Sequence, residues 1–226
     1  MNYPYDALTF DCYGTLIDWE TGITTAIQTA AAQDGIELQR ETIVAKYHRV
    51  EPAVQAEEYQ PYKTVLRDVA VALARELGWE LAPERARFLA DSVAEWAPFG
   101  DTNAALEWLK AAGYQLGILS NVDDDLLEGT LRNLSVEFDF LITAEQVRCY
   151  KPAHAHFLRA RELLGGSRWL HVAQSLFHDI VPAGTLGIPA AWVNRKREQP
   201  VGSVRPIAEV ETLDGLVRWL RQKGSG

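Results

Sequence analysis

The feature that most constrains this chain is a break in its rhythm. Residues 6–11, Asp-Ala-Leu-Thr-Phe-Asp, form a short apolar run that stops abruptly at Asp11 and a polar cluster containing Gly14. That is the pattern of a buried strand feeding a functional loop. No convincing strand follows for roughly eighty residues. From about Thr21 to Ala97 the pattern is helical, with apolar stripes over 24–31, 64–77 and 83–96. Pro52, Pro61, Gly78, Pro83 and Pro98 punctuate it. A helical block placed directly after strand one predicts an insertion.

Beyond Pro98 strands and helices alternate. Helices are predicted over 103–112, stopped by Gly113, then over 123–133, 153–164, 180–186 and 213–222. The helix at 123 opens on acidic residues that suit its dipole. Strands are predicted over 115–121, 138–143, 169–173 and 190–194. Such alternation implies a parallel sheet covered on both faces. The expected fold class is therefore α/β: a doubly wound parallel-sheet core with an inserted helical domain.

Length and charge narrow the function. At 226 residues the chain is long for one simple domain and short for two full ones. A net charge of −9 and a pI near 5.1 lack the basic footprint of a nucleic-acid binder. Two cysteines, Cys12 and Cys149, make no disulfide framework. The opening Met-Asn-Tyr-Pro-Tyr-Asp has no basic region, and no apolar stretch is long enough for a membrane span. A reducing cytoplasm is the expected location. The closing Gly224-Ser-Gly226 reads as a frayed end.

In such folds the carboxyl ends of the strands share one edge, and ligands bind outside it. The unusual polar residues fall there. Asp11 ends the first strand, Ser120 and Asn121 the second; Lys151 follows the third, and Ser175 and Asp179 follow the fourth. Each alone has an ordinary reading: a turn-forming Asp, a helix N-cap at Ser120-Asn121, a solvated loop lysine, an aspartate facing a helix dipole. Together on one edge they describe a pocket. His154, His156, His171 and His178 have no zinc spacing with Cys149 and read as surface or pocket-lining residues. The seven tryptophans read as packing, with Trp19 lining the cap entrance.

Four segments carry a resemblance. Phe10-Asp-Cys-Tyr-Gly-Thr-Leu-Ile-Asp-Trp19, Leu119-Ser-Asn121, Tyr150-Lys-Pro152 and Val172-Ala-Gln-Ser-Leu-Phe-His-Asp-Ile180 resemble, in order and spacing, the four motifs of the haloacid dehalogenase superfamily. Two positions separate its branches. Phosphatases place a second Asp two residues after the nucleophile and begin the fourth motif with Gly-Asp-Ser, whose Asp helps bind magnesium. Here Tyr13 and Gln174 stand at those places. A hard divalent cation prefers anionic oxygens. The chain is more similar to the L-2-haloacid dehalogenases, which carry the Tyr and need no metal or other cofactor.

That resemblance implies a Rossmann-like core domain over 1–17 and 98–226 with a helical cap domain over 18–97, and an enzyme acting on a small organic acid. Asp11 would attack carbon to form an ester. Lys151 would hold Asp11 ionised, since an adjacent cation lowers a carboxylate pKa by ~1–3 units. Asp179 would orient or activate the hydrolytic water. Ser120, with amides at a helix start, would bind the substrate carboxylate. Asn121 would donate to the departing halide, Thr15 and Ser175 would position Asp11, and Tyr13 would shape the pocket. The family's cap arginine, six residues before a tyrosine resembling Tyr59, is Ala53 here; Arg40, Arg49, Tyr59, Tyr62 and Lys63 are the nearby candidates. A homodimer through the cap fits the resemblance. The competing readings are a magnesium-dependent small-molecule phosphatase and a non-catalytic binding protein of the same fold.

Overall fold

The computed structural model describes residues 4–55, 58–200 and 205–224; Ser225 and Gly226, read from the sequence as part of a frayed end, lie outside them. The described residues form a six-stranded, all-parallel sheet in the order β3-β2-β1-β4-β5-β6. The strands are β1 (Ala7–Phe10), β2 (Gln115–Ser120), β3 (Phe140–Thr143), β4 (Trp169–Ala173), β5 (Ala190–Val193) and β6 (Ala208–Val210). Helices accompany them, so the fold is α/β as the alternation predicts. β1 is paired on one side with β2 and on the other with β4. The sheet order therefore reverses at β1, and its carboxyl end is the switch point at which such sheets bind ligands.

The chain forms two compact units. The first comprises the described residues of Met1–Ile17, Pro98–Asn121 and Asn133–Gly226. Its helices are α5 (Thr102–Ala111), α7 (Ala144–Val147), α8 (Ala155–Leu164), α9 (Val181–Thr185) and α10 (Leu213–Lys223). β1, β4 and β5 are buried along their whole length, which is why they read as mainly apolar runs. Phe157, Trp169, Ile180 and Trp192 lie in one apolar cluster of this core. The predicted strands were slightly long. Asp139, just before β3, instead turns its carboxylate onto the Leu116 amide at 2.7 Å and Lys110 at 2.7 Å. The predicted helix over 180–186 begins earlier, as a π-helical turn, Leu176–Ile180, that α9 continues. Pro182 falls in the first turn of α9, where its missing N–H costs little.

The second unit comprises Asp18–Ala97 and Val122–Arg132. It holds α1 (Trp19–Ala32), α2 (Arg40–Gln55), α3 (Tyr62–Glu76), α4 (Phe88–Asp91) and α6 (Asp124–Leu131). Asp18 caps α1 by accepting from the Thr21 amide. α3 buries Val65, Leu66, Val69, Ala70 and Leu73, an i, i+3, i+4 stripe that faces the unit's core. α2 runs through Pro52 to Gln55, although that proline reads as a break. The stripe over 83–96, predicted as one helix, is three short turns. Ser92 donates to the Leu89 carbonyl at 2.7 Å and competes with a continuous helix.

Val122–Arg132 joins the helical unit for a concrete reason. α3 starts after Pro61, which offers no side-chain cap. The Asp123 carboxylate accepts from the Tyr62 and Lys63 amides at 2.8 and 2.9 Å, satisfying two of the orphan donors at that helix end. Asp125 adds an ion pair with Lys63 at 2.6 Å.

Gly22 shows how tightly this unit is packed. A Cβ there would lie 2.3 Å from the Trp96 indole, which is buried and donates through Nε1 to Ser92 Oγ at 3.0 Å. Gly22→Ala is expected to cost about 1–3 kcal/mol, the range for overpacking a filled core. A thermal melt unchanged from wild type would show that Trp96 yields freely. Among the described residues no helix is long and apolar enough to cross a membrane.

Candidate active site

The residues singled out at the strand ends converge at the carboxyl end of β1. Asp11 follows β1 directly, and its amide donates to the Val172 carbonyl of β4 at 3.1 Å. Its Oδ1 accepts from Lys151 Nζ at 2.8 Å and its Oδ2 from Thr15 Oγ1 at 2.8 Å. Thr15 Oγ1 in turn accepts from the Gln174 amide at 2.9 Å, tying the first loop to the segment after β4.

Lys151 is the centre of the arrangement. It is 1% exposed, and its ammonium donates to Asp11 Oδ1 (2.8 Å), Asp179 Oδ1 (2.7 Å) and the Leu119 carbonyl (2.8 Å). Its three hydrogens are thus all used. Asn121 grips the Lys151 backbone from both sides, donating to its carbonyl at 3.0 Å and accepting from its amide at 2.7 Å. The carboxamide thereby holds Lys151 in place, and one Asn121 amide hydrogen remains.

The electrostatics follow from two carboxylates sharing one buried ammonium. Burial pushes the Asp11 carboxyl up from the ordinary range, and Asp179 adds to that push; Lys151 and Thr15 pull it down but do not prevail. The net direction is opposite to the lowering expected from Lys151 alone. Burial also works against the Asp179 charge, but there Lys151 and a bond from His171 win and hold the carboxyl well below its usual range. Burial disfavours the Lys151 charge too, and the two carboxylates outweigh it, raising its pKa. Acid therefore reaches Asp11 before Asp179.

Other expected residues lie elsewhere in detail. Ser120 is fully buried, and its Oγ has no partner among the described residues. Its carbonyl accepts from His156 Nε2 at 3.2 Å, and burial pushes that imidazole down to about 3, so it is neutral. Ser175 does not bond Asp11. It caps the π-helical turn: its Oγ accepts from the His178 amide at 3.0 Å and contacts His178 Nδ1 at 3.1 Å. Tyr13 is half-buried and forms a backbone bridge with Ile17. The Gln174 amide faces Glu198 at 3.4 Å.

His156 and His171 are not the surface or pocket-lining residues that their sequence context suggests. Both are fully buried, and His171 Nε2 lies 3.0 Å from Asp179 Oδ1. The available signal was a single polar residue inside an otherwise apolar strand, Trp-Leu-His-Val-Ala.

Within the helical unit the cationic candidates are committed. Arg40 donates to the Thr24 and Thr21 hydroxyls at 3.0 and 3.1 Å, Arg49 pairs with Glu76, and Lys63 pairs with Asp125. Ala53 is exposed, whereas Tyr59 and Tyr62 are half-buried.

The donor set does not fit the divalent cation that the wider superfamily uses. The carboxylates of Asp11 and Asp179 already share the Lys151 ammonium, and the first residue after β4, Gln174, carries a neutral carboxamide. Among the described residues no group of three or more His, Cys, Asp or Glu side chains is arranged to hold a metal ion.

Comparison with known proteins gives a consistent picture. A family model described as haloacid dehalogenase-like hydrolase matches residues 5–180. The chain is 27% identical over 215 residues to an (S)-2-haloacid dehalogenase of Pseudomonas putida, covering 90% of this chain and 93% of that protein. It is similar in structure to a defluorinating L-2-haloacid dehalogenase, with 24% identity and a TM-score of 0.82 over 96% of this chain and 95% of the other. It is likewise similar to the L-2-haloacid dehalogenase of Xanthobacter autotrophicus with chloropropionic acid covalently bound, at 22% identity and a TM-score of 0.82 over 96% and 98%. The two structural likenesses establish a shared fold.

Proposed function

Because the chain belongs to the haloacid dehalogenase-like hydrolases, we propose that it is a metal-independent hydrolytic dehalogenase of short 2-haloacids or haloacetates. The observation that carries this reading is the Lys151 ammonium bridging the Asp11 and Asp179 carboxylates, with a phenol at Tyr13 and a neutral amide at Gln174. Phosphate-ester hydrolysis needs an acid for the leaving alkoxide. A halide leaves without a proton, so a nucleophile with no second carboxyl two residues on suits carbon–halogen chemistry.

Asp11 attacks the halogen-bearing carbon in line. One carboxylate oxygen forms the new C–O bond as the carbon–halogen bond breaks with its electron pair, inverting the carbon. Water then adds to the Asp11 carboxyl carbon, and the ester C–O bond breaks. A 2-hydroxy acid and a proton are released, and Asp11 is regenerated. Thr15 and Lys151 hold the carboxylate in one orientation for the first step, the positioning that makes a bound reaction effectively unimolecular. Asp179, kept ionised by Lys151 and His171, is the remaining base for the water. Ser120 Oγ, buried and without a protein partner among the described residues, suits the substrate carboxylate. The Pseudomonas putida relative is named for this same substrate class.

A panel assay tests the proposal. Protein treated with chelator is offered chloroacetate, fluoroacetate, (S)-2-chloropropionate and a generic phosphate ester. Halide release that persists in chelator is expected. Phosphate release restored by magnesium, without halide release, would replace this reading with the phosphatase one. Binding without turnover of any of them would favour the non-catalytic reading.

A further inference from the structure

We propose that His171 is a positioning residue for the hydrolytic half of the reaction, fixing Asp179 so that its second oxygen meets the incoming water. The kinetic part of this inference rests on the dehalogenase reading; the structural part does not.

His171 lies in the middle of β4, directly opposite Thr9 of β1. A chain of buried hydrogen bonds runs through it. Trp169 Nε1 can only donate, and it does so to Thr9 Oγ1 at 2.6 Å. Thr9 Oγ1 also lies within hydrogen-bond distance of His171 Nδ1, at 2.9 Å. At the other ring nitrogen the partner is an ionised carboxylate, which can only accept, so Nε2 carries a proton and donates to Asp179 Oδ1 at 3.0 Å. Phe157 packs edge-on against the imidazole, with ring centroids 5.1 Å apart.

The effect falls on Asp179. Its Oδ1 takes two donors, Lys151 Nζ and His171 Nε2, which fixes the plane of the carboxylate. Its Oδ2 is buried and has no partner among the described residues. A buried carboxylate oxygen without a protein partner is costly, and a catalytic role or a water held against it accounts for such a group. Once Asp11 is esterified its negative charge is gone, and the Lys151 ammonium loses one of its two anionic partners. The bond from His171 anchors Asp179 to the sheet whether or not Lys151 shifts at that stage.

Two variants and one spectroscopic measurement decide the matter. His171→Gln keeps an N–H near the position of Nε2; His171→Leu removes it. With a 2-chloro acid, His171→Leu is expected to release one equivalent of chloride in a burst. Turnover should then slow by up to ~10²-fold, the scale of a small misplacement of a reacting group, with ester-bound protein accumulating in intact mass spectra. His171→Gln should turn over within a few-fold of wild type and accumulate no ester. Equal slowing of chloride burst and hydroxy-acid release in His171→Leu, or equal impairment of both variants, would overturn the proposal. Should His171→Leu fail to fold, nitrogen-15 NMR of wild-type protein still tests the hydrogen-bond order. A proton on Nε2 is expected, and a ring protonated at Nδ1 alone would overturn it. Absence of chloride release by wild type would sink the dehalogenase reading alone, because the tautomer is read without substrate.

Discussion

Asp11→Asn should abolish turnover and make the protein more stable. Loss of activity by ~10⁴-fold or more is the usual result of removing a covalent nucleophile. The gain in stability follows from the charges. Two buried carboxylates face one ammonium, an excess of one negative charge, and burial raises the Asp11 carboxyl. A carboxyl whose folded pKa is raised favours folding most below its unfolded value, and that contribution is lost as pH rises through the folded value. At neutral pH ionised Asp11 therefore works against the fold. Asparagine has nearly the same shape, can still accept from Lys151, and leaves a balanced Lys151–Asp179 pair. An increase of about 0.5–2 kcal/mol is expected, the scale of a stability–activity trade-off at a functional site. Paired melts at pH 7 and pH 4 check it. The advantage of the variant should shrink in acid, and a variant melting below wild type at pH 7 would contradict the charge argument.

Lys151→Met should act in the opposite direction and more strongly. Removing the ammonium leaves Asp11 and Asp179 buried with no cation between them, and strands the Leu119 carbonyl. Breaking a buried ion pair from one side costs about 3–5 kcal/mol. The pH dependence of the Asp179 contribution should also change sign. In wild type the depressed Asp179 carboxyl gives stability that is present above its ordinary value of 3.8 and is lost as pH falls through the folded value. Without the ammonium both carboxylates favour protonation, so the variant should gain stability on acidification. Adding Asp179→Asn should recover part of the loss at neutral pH. Urea unfolding at several pH values measures all three expectations; a Lys151→Met protein as stable as wild type at pH 7 would show that the ammonium is dispensable to the fold.

The core was legible because parallel strands buried on both faces leave mainly apolar runs, and five of the six strands did so. β6 was not: its three residues, Ala-Glu-Val, are too few to carry a period. Asp11, Lys151 and Asp179 could be grouped from sequence because strand ends share one edge, and the structure brings their charged atoms within bonding distance. Ser175 misled, since a hydroxyl beside a candidate aspartate can equally cap its own turn, as it does with the His178 amide. His171 was missed because its partner, Asp179, lies eight residues along the chain and beyond the strand. Asp123 likewise read as an acid facing its own helix dipole, whereas its carboxylate caps a helix some sixty residues earlier.

That cap has a bearing on how proteins of this family can be recombined. Because Val122–Arg132 belongs with Asp18–Ala97, the helical unit is not one removable cassette. A chimera that replaces only residues 18–97 keeps Asp123 and α6, so the carboxylate that seals the start of α3 and the buried Leu126 and Leu127 meet helices they were not fitted to. The smallest exchangeable module is a split one, two segments spliced at four junctions. One of those junctions falls between Asn121, which grips Lys151, and Val122, so the modular boundary of this chain and its candidate site meet at a single peptide bond.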